Sequence, residues 1–198
     1  MDDIDFSLRR QILQANIDMF RIHNVMSAAL PTGEVPLDID VTLFDNSKTC
    51  KEGVSHTYKG FDGYAPTMAH IGKEGFLVNT ELREGRQHCP KGTPHFLKET
   101  LRLSHELTDA PLLIWMDSGN DARENLSILL EVGDWFIVKR NPRGLGTRDE
   151  WLTKVRECCK DVRKPRDGKV VYVGSLWKDV EYVTNGGVAQ DHLHAHHL

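Results

Sequence analysis

The sequence lacks the features of a membrane-embedded or secreted protein. It has no apolar run long enough to span a bilayer, and its first residues contain no apolar segment that would direct secretion. Its four cysteines include no CxxC pair, and two of them are adjacent, which rarely allows a disulfide. These absences predict a reduced cytoplasmic protein with no membrane span.

Histidine and cysteine offer little support for a zinc site. Cys50, His56, His88 and Cys89 are suitable ligand types, but their spacing is not that of a known zinc ribbon. The histidines near the carboxyl terminus follow a glycine pair, and residues 186–198 are interpreted as a non-native or disordered tail. A zinc site is therefore the less favoured interpretation.

Charge limits the kinds of partner. A formal net charge of -4 and a pI near 6.2 argue against a protein whose whole surface binds nucleic acid. Lysine and arginine nevertheless outnumber acidic residues between Lys139 and Lys169, which leaves room for a local basic face. A solvated helix followed by a turn explains the same run equally well.

Hydrophobic spacing indicates an α/β protein with one core, which 198 residues are enough to build. The pattern predicts a helix over 5–25, a break at 31–36 and a strand over 37–44 with one buried face. Glycine-bearing turns then predict an antiparallel three-stranded meander. The other predicted segments are strand-like runs at 56–60, 64–71 and 76–82, helices at 94–107, 122–130 and 151–162, a strand at 112–116 buried on both faces, and strands at 135–138, 169–173 and 180–183.

The order of these elements is that of a ribonuclease H-like core. A meander followed by strand, helix and strand predicts a mixed sheet flanked by helices and preceded by an N-terminal helix. We assign residues 1–35 to a helical lead-in, residues 36–185 to the core and residues 186–198 to the tail.

Two acidic residues are placed to form a metal site. Asp40 lies on the first predicted strand and Asp117 follows the strand at 112–116, so the two are neighbours if those strands pair. Magnesium takes oxygen ligands, and two metals held by carboxylates can activate water and stabilise the leaving oxygen of a phosphodiester. The sequence therefore predicts a metal-dependent site at Asp40 and Asp117.

A second interpretation of the same strand is a haloacid-dehalogenase-like phosphatase. Residues 38–43 match the pattern D-x-D-x-T-hydrophobic, in which Asp38 would attack a phosphoryl group and Asp40 would act as general acid and base. That fold needs the motif to end a strand that feeds a helix in a parallel sheet. Here the motif runs into glycine-bearing hairpins, which disfavours the phosphatase.

Four short motifs occur in one order along the chain. They are hydrophobic-D-x-D-x-T at 37–42, G-Y-x-P at 63–66, L-R-x-G at 82–85 and D-S-G at 117–119. In this order they resemble the insertion-sequence DDE transposases of bacteria. The resemblance covers residues 36–141 well and residues 151–185 loosely.

The resemblance implies a ribonuclease H-like domain that hydrolyses and joins DNA strands at transposon ends with two Mg²⁺ or Mn²⁺ ions. It makes Asp40 the first acid of a triad, because the family's acid precedes x-Thr, and Asp117 the second. The expected partners are transposon ends and target DNA in the bacterial cytoplasm at the nucleoid, with a homodimer as one form of the full-length parent. Separately, the basic run suggests DNA phosphate contacts at Lys139, Arg140 and Arg143.

The third acid that the resemblance implies, a glutamate on a helix after the last strands, has no counterpart. Asp179 and Glu181 fall on strand-like sequence, and Glu150 and Glu157 come too early. The match stops near residue 185, so we interpret the chain as a fragment that cuts DNA poorly or not at all. A non-catalytic DNA-binding relic of a transposase is the remaining alternative.

Overall fold

The computed structural model describes residues 3–25, 27–88, 91–141, 148–184 and 187–197. It divides the chain into two compact units, Met1–Arg140 and Asn141–Leu198, and each is considered by itself. None of the helices in the described ranges is long and apolar enough to cross a membrane.

The first unit alternates helices with a mixed sheet. A short 3₁₀ turn, Ser118–Asn120, and one helix lie between the last two strands of this unit. In chain order its elements are α1 (Asp3–Ile22), β1 (Val35–Val41), β2 (Phe44–Asp45), β3 (Ser55–His56), β4 (Asp62–Tyr64), β5 (Thr67–Ile71), β6 (Phe76–Glu81), α2 (Thr93–His105), β7 (Leu112–Met116), α3 (Arg123–Val132) and β8 (Trp135–Val138).

The main sheet has five strands in the order β6-β5-β1-β7-β8. β1 is antiparallel to β5, and β5 to β6, whereas β1 is parallel to β7 and β7 to β8. The predicted α/β class and mixed sheet are therefore confirmed, and the arrangement is consistent with a ribonuclease H-like layout.

The core lies on one face of this sheet because the central strands alternate. Val35, Leu37 and Ile39 of β1 are buried, while Asp38 and Asp40 between and after them are exposed. The helices pack on the apolar face, and the buried cluster includes Leu13 and Ile17 of α1, Phe96, Leu97 and Leu101 of α2, and Ile128 and Leu129 of α3.

The helix α1 is tied to the core by a polar network as well as by packing. Arg9 Nη2 donates to Asn79 Oδ1 and Glu99 Oε2, both at 2.7 Å, and Arg9 Nε donates to the Thr80 carbonyl at 2.8 Å. Asn79 is fully buried and in turn donates to Thr100 Oγ1 at 2.9 Å. The sequence predicted this helix as a lead-in, and its attachment to the sheet was not visible there.

Residues 44–64, which we call the insert, contain a three-stranded sheet in the order β2-β4-β3. The run predicted as strand-like at 56–60 is extended only at His56, which belongs not to the main sheet but to β3 of this small sheet. Its strands are two or three residues long, too short for an alternating pattern to stand out in the sequence.

The second unit contains α4 (Arg148–Glu157), β9 (Cys159–Arg166), β10 (Lys169–Thr184) and β11 (Gly187–His197). The three strands form an antiparallel sheet with β10 in the centre. The predicted helix at 151–162 was too long, since β9 begins at Cys159. The two strands predicted at 169–173 and 180–183 are one strand, and residues 187–197 pair with it, whereas the sequence indicated a non-native or disordered tail.

Candidate functional site

The pairing of β1 with β7 places the two predicted acids side by side. In this parallel pair Leu37 is opposite Ile114 and Ile39 is opposite Met116. The next residues along the two strands are Asp40 after Ile39 and Asp117 after Met116. Neighbouring strands lie about 4.8 Å apart, so the two acids are neighbours. Both acids therefore stand where β1 and β7 end, at what we call the carboxyl edge of the main sheet.

Both acids project from the face of the sheet that does not carry the core. Ile39 and Met116 point into the core, so the alternation turns Asp40 and Asp117 the other way. The side chain of Asp117 is 59% exposed, and Asp40 is also exposed. A metal ion or a phosphodiester can reach both carboxylates from solvent.

Backbone amides hold one oxygen of each carboxylate. The Val41 N–H donates to Asp40 Oδ1 at 2.7 Å, and the Ser118 N–H donates to Asp117 Oδ1 at 2.6 Å. These bonds restrict the rotation of side chains that are otherwise in water. Two oriented carboxylates on one edge are oxygen donors of the type that Mg²⁺ and Mn²⁺ bind, with further positions left for water and substrate.

The D-S-G motif forms the turn that carries Asp117. The Asn120 N–H donates to the Asp117 carbonyl at 2.9 Å and closes the 3₁₀ turn. Asn120 is buried, and its carbonyl accepts from Asn125 Nδ2 of α3 at 3.0 Å. Ser118 and Asn120 therefore belong to the turn, and α3 anchors it through Asn125.

Asp121 is a second, more buried acid beside this turn. Its side chain is 10% exposed, and its Oδ2 lies 3.7 Å from Arg140 Nε. Asp121 does not cap the following helix, because the residue at the cap position of α3 is Ala122. The observed partner instead comes from the end of β8.

Two of the three predicted phosphate-binding residues each lie next to an acid, Lys139 beside Asp117 and Arg140 beside Asp121. The Lys139 N–H donates to the Met116 carbonyl at 3.0 Å, which extends β8 along β7. Lys139 Nζ is 3.6 Å from Asp117 Oδ1, and the lysine side chain is 74% exposed. Arg143 lies outside the described residues.

Asp38 is a separate carboxylate on the same face of β1. It is opposite His70 of β5 and Trp115 of β7. Partial burial raises the pKa of Asp38 above its usual value, the charge of Asp40 raises it further, and His70 opposes the shift. β1 leads into the insert and pairs antiparallel with β5, so Asp38 lacks the strand-to-helix setting that the phosphatase interpretation requires.

The L-R-x-G arginine is internal to the protein. Arg83 is 4% exposed, its Nε is 2.8 Å from Glu81 Oε1, and its Nη1 donates to Thr93 Oγ1 at 3.2 Å. Its guanidinium also lies 5.7 Å from the centre of the Phe96 ring. Arg83 therefore has a structural role, because it joins Glu81 at the end of β6 to Thr93 at the start of α2.

The face that carries the acids also exposes large apolar side chains. Trp115 is 51% exposed, and the adjacent positions of β8, Trp135 and Ile137, are 64% and 51% exposed. The prediction that the strand at 112–116 is buried on both faces is therefore wrong. An apolar sequence run does not by itself show that both faces are covered.

Over the described part of the chain, no three or more His, Cys, Asp or Glu side chains are grouped so that they could hold a metal ion. The site at the carboxyl edge therefore consists of the two acids Asp40 and Asp117. Of the unfavoured zinc set, Cys50 is exposed and not in a disulfide, His56 pairs with Asp62 at 3.0 Å, and Cys89 lies outside the described residues.

Comparison with known proteins gives a weak likeness to a solved structure. No protein-family model matches the chain, and no curated protein matches it. A solved structure with a similar course of the chain is a cryo-EM structure of a piggyBac transposase synaptic complex with hairpin DNA, at a TM-score of 0.43 and 15% sequence identity. The alignment covers 98% of this chain and 40% of that one. At this level the likeness assigns neither a family nor an activity.

Proposed function

We propose that this chain is part of the catalytic core of a DDE-type DNA transposase, in which Asp40 and Asp117 are two of the acids that hold divalent metal. The observation that carries the proposal is the parallel register of β1 with β7, which makes these two acids neighbours on an accessible edge. The four ordered sequence motifs support it, since two of them contain these acids. The substrate class is DNA, at transposon ends and target sites.

The residues at this edge have distinct tasks. Asp40 and Asp117 would bind Mg²⁺ or Mn²⁺, and their mutual repulsion would fall when a cation lies between them. When bound, the metal would supply Lewis-acid stabilisation of charge that develops on the phosphodiester. Lys139 would then be free to exchange its contact with Asp117 for a DNA phosphate, while Arg140 keeps Asp121 and the 3₁₀ turn in place.

A complete reaction needs a third acid, and among the described residues no three acids are grouped so that they could hold a metal ion. We therefore expect metal binding from this chain but little or no strand cleavage. The dimeric state of the parent protein, its bacterial nucleoid location and the use of two metal ions belong to the same proposal.

Metal titration of the purified chain tests the assignment. We expect Mn²⁺ to bind, and the loss of the free-ion signal in electron paramagnetic resonance measures this binding. Asp40→Asn and Asp117→Asn should each weaken binding by about tenfold or more, since even the residues that only support metal ligands are worth roughly that much.

Asp38→Asn is the matched control, because Asp38 lies on the same strand and the same face. It should leave Mn²⁺ binding close to that of the unchanged protein. A loss confined to Asp38→Asn, with a trappable aspartyl-phosphate, would indicate the phosphatase. No binding at millimolar Mn²⁺ would refute the proposed site and favour a non-catalytic DNA-binding relic.

A further inference from the structure

The insert begins and ends at the carboxyl edge, where the acids lie. The register of β1 with β5 continues through it: Val41 is opposite Thr67, the Thr42 N–H donates to the Pro66 carbonyl at 3.0 Å, and Phe44 is opposite Tyr64. β2 and β4 therefore extend the line of β1 and β5 past the acids. The β3–β4 hairpin projects beyond this edge.

The base of the projecting hairpin is fixed by close backbone contacts. A Cβ atom on Gly85 would lie 2.2 Å from the Ser55 carbonyl oxygen and 2.5 Å from that of Gly63. Tyr64 pairs with Glu84, and the Arg86 N–H donates to Ser55 Oγ at 3.0 Å. The glycines of two sequence motifs thus hold the hairpin against the end of β6.

The tip of the hairpin is an ordered turn that presents an aromatic ring to solvent. The Thr57 N–H and hydroxyl both donate to the Phe61 carbonyl at 2.8 Å, and the Gly60 N–H donates to the Thr57 carbonyl at 3.0 Å. Thr57 is 2% exposed, whereas Tyr58 is 74% exposed. Lys59 Nζ lies 6.0 Å from the centre of the Tyr58 ring.

The charge of the insert indicates how it would contact DNA. Its three lysines are matched by three acidic residues, so it is formally neutral and has no strong attraction for the duplex backbone. An exposed tyrosine on a hydrogen-bonded turn, beside a lysine, suits a single-stranded segment, in which the base stacks on the ring and the cation contacts the adjoining phosphate.

We propose that the tip of the insert binds unpaired nucleotides next to the phosphodiester that the Asp40–Asp117 edge acts on. Tyr58 stacks on an unpaired base and Lys59 contacts the neighbouring phosphate. This inference rests on the proposed function for its DNA substrate, but it concerns a surface that contains neither acid.

The test is fluorescence anisotropy of a labelled mixed-sequence single-stranded oligonucleotide with the full chain in EDTA. Tyr58→Ala should weaken binding about tenfold, within the range for loss of one stacked base. Tyr58→Phe keeps the ring and should bind like the unchanged protein. Binding of a duplex of the same sequence should be insensitive to Tyr58→Ala.

Lys59→Ala has a matched control in Lys73→Ala. Lys73 is also an exposed lysine in a glycine-bearing turn of the meander, but its turn lies at the opposite edge of the sheet. We expect a several-fold loss for Lys59→Ala and none for Lys73→Ala. Equal affinities for Tyr58→Ala and the unchanged protein, equal losses for both lysine variants, or no binding of single-stranded DNA would each overturn the inference.

The Mn²⁺ titration tests the Asp40–Asp117 site independently of the DNA-binding assay. Retained metal binding with no role for Tyr58 would reject the tip alone. Tyr58-dependent DNA binding without metal binding would reject the proposed catalytic site alone.

Discussion

Replacement of Gly63 by alanine should force apart β2 and β4 of the insert. A Cβ atom there would lie 1.9 Å from the Phe44 carbonyl oxygen, 3.0 Å from its carbonyl carbon and 3.3 Å from the Asn46 amide nitrogen. All three atoms are backbone, so no side-chain rotation relieves the clash. Non-bonded heavy atoms prefer about 3.5 Å, which would require β2 and β4 to move apart by roughly 1.5 Å.

The expected cost of Gly63→Ala combines two effects. Overpacking costs about 1–3 kcal/mol, and each backbone hydrogen bond lost between β2 and β4 adds about 1 kcal/mol. A total near 3 kcal/mol corresponds to a fall in melting temperature of roughly 6–12 °C for a chain of this size. Thermal unfolding followed by far-ultraviolet circular dichroism measures this fall.

Gly75→Ala provides the comparison for that measurement. Gly75 has a φ of 73° but no atom within 4 Å of the added Cβ, so its substitution introduces only backbone strain of about 1 kcal/mol. A melting-temperature change for Gly63→Ala no larger than that for Gly75→Ala would show that the close backbone approach does not hold the insert.

Two further changes test the packing of α1 and the charge on β1. Arg9→Ala should lower the free energy of unfolding by about 2 kcal/mol, because it leaves buried Asn79 and nearly buried Glu99 without their charged donor. The control is Arg10→Ala, which removes a 60% exposed side chain 3.8 Å from Glu99 and should lower the free energy of unfolding by less than about 0.5 kcal/mol. Urea denaturation measures both variants, and equal losses of unfolding free energy would contradict the role given to Arg9. Because the folded-state pKa of Asp38 is raised, the folded protein holds this proton more tightly, and stability is lost as pH rises from the usual value of 3.8 through the folded pKa. Asp38→Asn should therefore increase the free energy of unfolding at neutral pH and have little effect on it below pH 3.8. An increase seen only at acid pH would contradict a raised pKa of Asp38 in the folded protein.

Alternation and motif order predicted the centre of the fold and the position of both acids. The pattern of residues 37–44 identified the buried face of β1, and the apolar run before Asp117 identified β7. The pairing of β1 with β7 joins segments far apart in the sequence, so local patterns do not predict it. The sequence indicated only that Asp40 and Asp117 would be neighbours if these strands paired. The structure supplies the pairing.

The features that the sequence did not predict depend on contacts between distant backbone segments. Nothing about an isolated glycine shows that Gly63 and Gly85 approach other segments of the same chain too closely for a side chain. The burial of Arg83 and the pairing of Asp121 with Arg140 likewise arise from elements far apart in sequence. Short strands such as β2 and β3 carry no periodicity of their own.

The parallel pairing of β1 with β7 also has a consequence for biosynthesis. When β1, β5 and β6 have left the ribosome, β1 is paired on one side only, and its other edge stays open until α2 and β7 have been made. An open edge on an apolar strand is a template for aggregation, and it persists longer when its partner lies far along the chain. The contact that brings Asp40 beside Asp117 is the same one that closes this edge. Protection of this edge and assembly of the acidic pair therefore depend on a single strand pairing.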